Sequence, residues 1–214
     1  IYSAMSMHNP THELVAEKAI AMLDPKPVFC SHRISRLTGM HERAATAGLH
    51  AKLMPVMGRF IDGVGQAMAG LGLHCPAVVI SGNGSPLEVS RAVSEAGLTV
   101  ASGPACTAHF GAAHAAGDAL VIDVGGTTTD IAMVEGGRVL LAGEGCTIGE
   151  WKTHVEAVDM HTAGIGGDSH VHIDERGVLT IGPGRVTPLA MSGESAGALA
   201  GWLGKQAWTR LDDQ

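Results

Sequence analysis

The residues best suited to chemistry lie between Ala119 and Val139, where a polar, glycine-rich turn joins two short apolar runs. This pattern predicts a strand, a tight turn and a second strand. Adjacent glycines let a ligand approach the backbone closely and leave successive N–H groups accessible, while threonine hydroxyls add further donors. The turn is therefore a candidate phosphate-binding loop, made of Gly125, Gly126, Thr127, Thr128 and Thr129.

Two aspartates bracket this turn, and each can take part in binding a metal–phosphate complex. Asp123, at the end of the first strand, can hold a hydrated Mg²⁺ that bridges phosphate oxygens. Asp130, at the start of the second strand, can do the same or can brace the turn. The alternative is an ordinary hairpin, in which the glycines only supply positive φ angles and the threonines only favour strands. The two aspartates favour the phosphate site.

A second glycine-rich loop, at residues 161–169, offers another candidate site. Its backbone can approach a nucleotide or substrate closely, and the residues that would line it are Gly164, Gly166, Gly167 and Ser169. Asp159 and His161 are candidate metal ligands, because carboxylate and imidazole groups coordinate divalent cations. The spacing matches no strong metal motif, and a flexible turn is the alternative. No residue stands out as a nucleophile or general base, so the catalytic residues are unassigned.

Composition restricts the class of protein. The chain has 214 residues, enough for one substantial core or two small lobes, and is 45% apolar and 16% charged, which excludes a disordered chain. Aromatic residues are scarce at 3% while glycine reaches 30 residues, a composition common in α/β enzymes. A net charge of −7 without a basic cluster argues against nucleic acid or an anionic membrane surface as the partner. A phosphate ligand would therefore be carried by a small molecule.

The four cysteines indicate the cellular compartment of the protein, and the first residue indicates whether the sequence is part of a longer chain. Cys30, Cys75, Cys106 and Cys146 are far apart, which predicts reduced thiols in a cytoplasmic protein and neither a zinc knuckle nor a disulfide framework. No apolar run approaches the ~20 residues of a membrane span. Because the first residue is Ile1 and not methionine, we expect an internal piece of a longer chain.

Patterns along the rest of the chain predict the elements that must position these loops. Apolar residues at helical spacing predict a long helix from Glu42 to Leu71, which Pro55 should kink or split. A capping box at Ser85, Pro86 and Glu88 predicts another helix start. Shorter patterns predict helices near 11–23, 105–116 and 191–211, and strands at 1–7, 27–30, 77–80, 100–102, 138–142, 154–159, 171–174 and 178–181.

The central motif also resembles a known phosphate loop. Asp-x-Gly-Gly-Thr-x-Thr-Asp between two strands is similar to the phosphate hairpin of the actin, sugar kinase and heat-shock ATPase superfamily, and more narrowly to the second such hairpin of the hydantoinase A and 5-oxoprolinase family. Further segments resemble this family in order, with the expected spacing, from residue 9 to about residue 184. They include Asn9-Pro10-x-His12-Glu13, Glu42-Arg43, Ser102-Gly103-Pro104-Ala105 and Gly164-x-Gly166-Gly167-x-Ser169.

The resemblance implies a fold, a cofactor and a substrate class. The fold would be an α/β, ribonuclease H-like lobe with a mixed sheet and flanking helices, in which residues 1–41 end the N-terminal lobe and residues 42–214 form the nucleotide-binding lobe. The cofactors would be ATP and Mg²⁺ or another divalent cation. The substrate would be a small cyclic amide or imide of the hydantoin or 5-oxoproline type, hydrolysed with ATP. A second hydantoinase-type subunit and self-association into a homo-oligomer are the partners that the resemblance allows.

Two departures from the family pattern leave alternatives open. The N-terminal Asp-x-Gly-Gly-Thr hairpin of the family is absent from this sequence, and so is the Pro-Gly-Pro-Ala-Cys-Tyr-Gly run that typically follows the segment at Gly182-Pro183. A noncatalytic, nucleotide-responsive or structural subunit of the same fold is therefore one alternative. A kinase acting on a small metabolite is the other.

Overall fold

The computed structural model describes residues 1–34, 38–188, 191, 193, 197, 198, 200 and 201. The helices are α1 (Thr11–Leu23), α2 (Met40–Gly70), α3 (Val89–Ser94) and α4 (Ser102–His114). The strands are β1 (Val78–Ile80), β2 (Pro86–Glu88), β3 (Ala119–Val124), β4 (Thr129–Glu135), β5 (Arg138–Val139), β6 (Thr147–Ile148), β7 (Trp151–Lys152), β8 (Met160–Ala163), β9 (Ser169–Ile173) and β10 (Leu179–Arg185).

The largest sheet contains the hairpin that the sequence singles out. Strands β3, β4 and β5 are neighbours in that order, and β8 pairs with β4. The pairs β1–β2, β6–β7 and β9–β10 are each antiparallel and two-stranded. None of the described helices has the length and hydropathy needed to cross a membrane.

The contacts divide the chain into two compact units. The first comprises residues 1–123 and 131–161, and the second comprises residues 124–130 and 162–214. The turn between β3 and β4 therefore belongs to the second unit, as do β9 and β10. The sequence-based boundary between residues 41 and 42 stays a prediction.

Small residues let α4 lie close to β3 in the first unit. Ala105 and Ala108 of α4 are buried in one apolar cluster with Ala132 and Val158. A Cβ added at Gly111 would collide with the side chain of Val121 on β3. With few aromatic side chains to fill the core, small residues let the backbones of α4 and β3 approach closely. This packing keeps α4 next to β3, the strand that carries Asp123.

Helix α2 runs without a break from Met40 to Gly70 and contains Pro55. Of the two expected effects of this proline, splitting of the helix does not occur, and a kink stays a prediction. Proline removes the hydrogen bond that its nitrogen would donate to the carbonyl of residue 51. Ala51 is exposed, so water can hydrate that carbonyl. The loss is therefore tolerated at this position.

Several short elements differ from the sequence-based expectations. The segments 1–7, 27–30, 100–102 and 154–159 are not strands, apart from an isolated bridge at Val158. The predicted capping box is instead part of a hairpin, because Ser81 Oγ and Asn83 Oδ1 accept hydrogen bonds from the Ser85 N–H at 3.1 and 3.0 Å. Closing that turn pairs β2 with β1. Most of the predicted helix at 191–211 lies outside the described residues.

His50, buried on α2, links folding to pH. Its ring stacks on Phe29 with centroids 4.1 Å apart, and its Nδ1 accepts the N–H of Gly97 at 3.0 Å. Burial lowers the pKa of His50 from 6.5 to about 4, and a backbone hydrogen bond at Glu95 offsets only part of this. The unfolded chain therefore takes up a proton at a higher pH than the folded chain does.

We expect acid to destabilise the first unit through His50. The stability that the neutral ring provides is complete above pH 6.5 and is lost progressively as the pH falls towards 4. His50→Gln keeps a hydrogen-bond acceptor but does not titrate, so its free energy of unfolding should fall less steeply across this range. Urea unfolding at a series of pH values measures the difference, with exposed His41→Gln on the same helix as control. Equal slopes for wild type and His50→Gln would contradict the assignment.

Candidate phosphate-binding site

The turn between β3 and β4 has a backbone conformation that differs from a simple glycine hairpin. Gly125 donates its N–H to the carbonyl of Thr128 at 2.8 Å, which closes the turn. Neither Gly125 nor Gly126 has a positive φ angle. The interpretation in which the two glycines serve only left-handed conformations is therefore not supported. Their lack of side chains leaves the turn open to close approach.

The turn presents unused donors at an exposed position. Gly125, Gly126 and Thr127 are exposed, and Thr128 is half-buried. Within the described part of the chain, no hydrogen bond uses the N–H of Gly126, Thr127 or Thr128 as donor. Successive free N–H groups in an irregular turn form an anion-binding site. The local geometry thus suits a phosphate group.

The second glycine-rich loop packs directly against this turn, within the same unit. Gly167 and Asp168 donate their N–H groups to the carbonyls of Gly125 and Gly126 at 2.9 and 2.7 Å. A Cβ at Gly166 would lie 2.6 Å from Gly126 O and 2.7 Å from the carbonyl carbons of Gly126 and Thr127, so no larger residue fits without a backbone shift. The carbonyls of Gly125 and Gly126 are thereby engaged, whereas no described residue accepts the N–H of Gly126, Thr127 or Thr128.

Side chains reinforce the contact between the two loops. Thr129 Oγ1 donates to the carbonyl of Ile165 at 2.7 Å, so one of the predicted ligand hydroxyls has a structural partner. Ser169 is buried, and its Oγ accepts the N–H of Gly166 at 2.9 Å. Gly164 and Gly167 stay exposed. Part of the predicted lining therefore holds the loop in shape, and part remains accessible.

Arg185, at the end of β10, is a residue that the sequence analysis missed. Its Nη1 donates to the carbonyl of Thr127 at 2.7 Å and to Asp168 Oδ1, and its Nη2 donates to the carbonyl of Gly164 at 3.3 Å. One guanidinium group thus joins the turn between β3 and β4, the second glycine-rich loop and the Asp168 carboxylate. No sequence signal reveals this, because the partners lie 58, 17 and 21 residues away.

The two aspartates that bracket the turn have different surroundings. Asp123, half-buried in the first unit, accepts a hydrogen bond on Oδ2 from Thr107 Oγ1 of α4 at 2.9 Å. Asp130 accepts a hydrogen bond on Oδ1 from Thr162 Oγ1 of β8 at 2.5 Å. This hydrogen bond ties Asp130, at the start of β4, to β8. The two roles expected for Asp130, metal binding and bracing of the turn, stay predictions. The hydrogen bond from Thr107 fixes the direction of the Asp123 carboxylate, and no described residue donates to its Oδ1.

Asp159 and His161 are exposed, and their part in metal binding stays a prediction. In the described chain, the side chains whose potential ligand atoms come within 4.8 Å of one another are Glu13, Cys30 and His32. This cluster differs from the predicted metal ligands.

The Glu13 cluster is better explained by hydrogen bonding than by a metal. The Glu13 carboxylate accepts hydrogen bonds from Ser3 N, Ser31 Oγ, His32 N and the His32 ring. Burial alone would raise the pKa of Glu13, but these bonds outweigh burial and lower it. Burial also raises the pKa of the Cys30 thiol, which disfavours the thiolate that a metal needs. Glu13 therefore serves to hold residues 3 and 31–32 together.

Comparison with known proteins identifies the family of this chain. Residues 43–192 match the hydantoinase/oxoprolinase family. The chain belongs to this family. It is 30% identical over 185 residues to the alpha subunit of caprolactamase from Pseudomonas jessenii, and 27% identical over 189 residues to the gamma subunit of acetophenone carboxylase from Aromatoleum aromaticum. Each alignment covers 83% of this chain and 26% of the relative.

Solved structures show the fold of this family member. The ATP-dependent caprolactamase from P. jessenii matches with a TM-score of 0.68 at 28% identity, covering 86% of this chain and 27% of that one. Nucleotide-free acetone carboxylase matches with a TM-score of 0.63 at 18% identity, covering 84% and 26%. The predicted α/β, ribonuclease H-like fold of the actin-like ATPase type is confirmed. This chain spans about a quarter of the length of these relatives.

Proposed function

We propose that this chain is the nucleotide-binding part of an enzyme that uses ATP to hydrolyse a cyclic amide. The observation that carries the proposal is the exposed turn with unused N–H groups at Gly126, Thr127 and Thr128. Support also comes from the caprolactamase relative, whose structure is described as ATP-dependent. Its name as an alpha subunit further supports a second subunit as partner.

Each residue of the proposed site has a distinct role. The N–H groups of residues 126–128 would bind the terminal phosphates, with the hydroxyl of Thr128 as a further donor. The Thr127 hydroxyl would join them on release from Asp168 Oδ2, to which it donates at 3.5 Å. Asp123 would hold Mg²⁺ through its carboxylate, which Thr107 orients. Gly164 and Gly167 would allow close approach of the nucleotide or substrate. Arg185 would keep the turn in its binding conformation through the Thr127 carbonyl.

ATP would transfer its terminal phosphoryl group to the amide oxygen and leave as ADP. The carbonyl carbon would then be open to attack by water, and cleavage of the ring C–N bond with release of phosphate would complete the hydrolysis. The protein's part in such chemistry is to position the phosphate and to neutralise its charge. The N–H donors of the turn would position the phosphate, and the Asp123 carboxylate would hold the Mg²⁺ that neutralises its charge. We assign no general base.

Calorimetric titration tests the proposal. Mg·ATP should bind more tightly than Mg·ADP, and AMP should bind weakest, because the turn is expected to bind the terminal phosphates. Equal affinity for AMP and ATP would place the nucleotide elsewhere. If no nucleotide binds, the alternative of a structural subunit of the same fold is favoured.

A second candidate function is ATP-dependent carboxylation of a ketone. The relative named acetophenone carboxylase gamma subunit favours it. Release of phosphate from ATP distinguishes the two candidates. ε-Caprolactam should stimulate release if the substrate is a cyclic amide, whereas acetophenone together with bicarbonate should do so if the reaction is a carboxylation.

A further inference from the structure

A small polar cavity lies in the first unit, and it belongs to none of the loops described above. Its volume is about 270 Å³. It is lined by Thr38, Gly39, Glu42, Glu144, Lys152 and His154. This volume is near the lower limit of the ~300–1,000 Å³ typical of small-molecule sites. The cavity therefore suits a single small ring and is too small for a nucleotide.

The imidazole ring of His154 in this cavity has no hydrogen-bond partner among the described residues. Both ring nitrogens of His154 are buried, and neither bonds to any described residue. A buried polar atom without a partner is costly, so such atoms commonly mark a bound ligand or an ordered water. The ring nitrogens of His154 therefore point to a missing binding partner.

The backbone around His154 is held firmly in place. The His154 N–H donates to Thr46 Oγ1 at 2.8 Å, and Thr46 Oγ1 donates to the carbonyl of Glu42 at 2.6 Å. A Cβ at Gly145 would collide with the backbone of Thr153 and His154. The ring thus has little freedom to find a partner by moving its backbone.

A carboxylate faces the same space as the ring. A Cβ at Gly39 would lie 2.5 Å from Glu42 Oε2 and 3.5 Å from His154 Nε2, so both atoms border the position that this glycine leaves open. Further out, Lys152 Nζ lies 3.4 Å from Glu144 Oε2 in an exposed ion pair. The inner wall therefore offers one anionic acceptor beside one imidazole.

This set of groups selects a neutral ligand that has a donor beside an acceptor. An anionic ligand would be repelled by Glu42. A metal ion is disfavoured because these carboxylates and His154 are not among the described side chains whose ligand atoms cluster within 4.8 Å, and the Lys152 ammonium shares the cavity. In a small cyclic amide, the ring holds the N–H and the C=O on one edge. Glu42 can accept that N–H, and an N–H of His154 can donate to that carbonyl.

We infer that this cavity is a binding site for a cyclic secondary amide, held by Glu42 and His154. The choice of a cyclic amide over other neutral ligands rests on the proposed function, whereas the existence of the site rests on the cavity and on the unpartnered ring.

Binding of 2-pyrrolidone and ε-caprolactam, without nucleotide, tests the inference. The ring signals of His154 should shift in ¹⁵N-histidine-labelled protein, with the spectrum of His154→Phe identifying them. N-methyl-2-pyrrolidone lacks the N–H, so it should bind about tenfold more weakly than 2-pyrrolidone. Unchanged His154 signals with both amides would show that the cavity holds water only and would overturn the inference.

Variants separate recognition from folding. His154→Phe removes the two unpartnered nitrogens, so it should unfold at no lower temperature than wild type and yet lose amide binding. Glu42→Leu removes the acceptor, so it should abolish the preference for 2-pyrrolidone over its N-methyl form, while the same change at exposed Glu150 should leave that preference unchanged. Retained amide binding by His154→Phe would overturn the inference. Titration of Mg·ATP into the same samples is a separate readout, so ATP binding without amide binding rejects only this site.

Discussion

Gly166→Ala should both destabilise the second unit and weaken binding of Mg·ATP. The new methyl group would lie 2.6 Å from Gly126 O and 2.7 Å from two neighbouring carbonyl carbons. All three are backbone atoms, so the turn between β3 and β4 would itself have to move. Forcing a methyl group into such a contact typically costs about 1–3 kcal/mol. We expect the dissociation constant for Mg·ATP, measured by calorimetry, to rise by about tenfold, which corresponds to about 1.4 kcal/mol.

Gly184→Ala provides the matched control for this experiment. Gly184 belongs to the same unit, and a Cβ there would make only an ordinary contact, 3.6 Å from His170 Cβ. Its melting temperature and nucleotide affinity should stay close to those of wild type. If Gly166→Ala bound Mg·ATP as tightly as Gly184→Ala does, the contact between the two loops would have no part in binding.

Asp123→Asn should remove the contribution of Mg²⁺ to ATP affinity. Asparagine keeps the shape of the side chain and can still accept the hydrogen bond from Thr107, but it carries no charge for a cation. For wild type, we expect Mg²⁺ to tighten ATP binding by about tenfold or more, since charge-assisted contacts are the strong ones. For Asp123→Asn, the dissociation constants measured with Mg²⁺ and with a chelator should converge.

Two further substitutions, Asp62→Asn and Asp130→Asn, serve as comparisons for Asp123→Asn. Asp62→Asn, on the exposed surface of α2, should keep the full effect of Mg²⁺. Asp130→Asn should weaken ATP binding equally with and without Mg²⁺, because Asp130 braces β4 against Thr162. A full Mg²⁺ effect in Asp123→Asn would exclude Asp123 as the metal ligand. A Mg²⁺ effect lost only in Asp130→Asn would transfer that role to Asp130.

Local patterns in the sequence were enough to find the central hairpin and the family. Two apolar runs flank the short turn at Gly125 and Gly126, and two apolar runs likewise flank the turn of the hairpin at residues 169–185. Neighbouring residues along the chain therefore determine both hairpins. The ordered series of motifs predicted the family, and the match over residues 43–192 confirmed it. The prediction of a strand from an isolated apolar run such as residues 27–30 is wrong, because a short apolar run shows only that its residues tend to be buried.

The sequence by itself determined which residues form the turn between β3 and β4, because a glycine-rich turn between strands is a local feature. Tertiary structure alone decided how that turn is held, since Gly166 and Arg185 reach it from about forty and sixty residues away. Tertiary structure alone also brings Glu42 and His154 to one cavity. The contact that links them is the hydrogen bond between His154 and Thr46, which are 108 residues apart. Propensity and periodicity describe neighbours along the chain, whereas these contacts depend on backbones that meet only after folding.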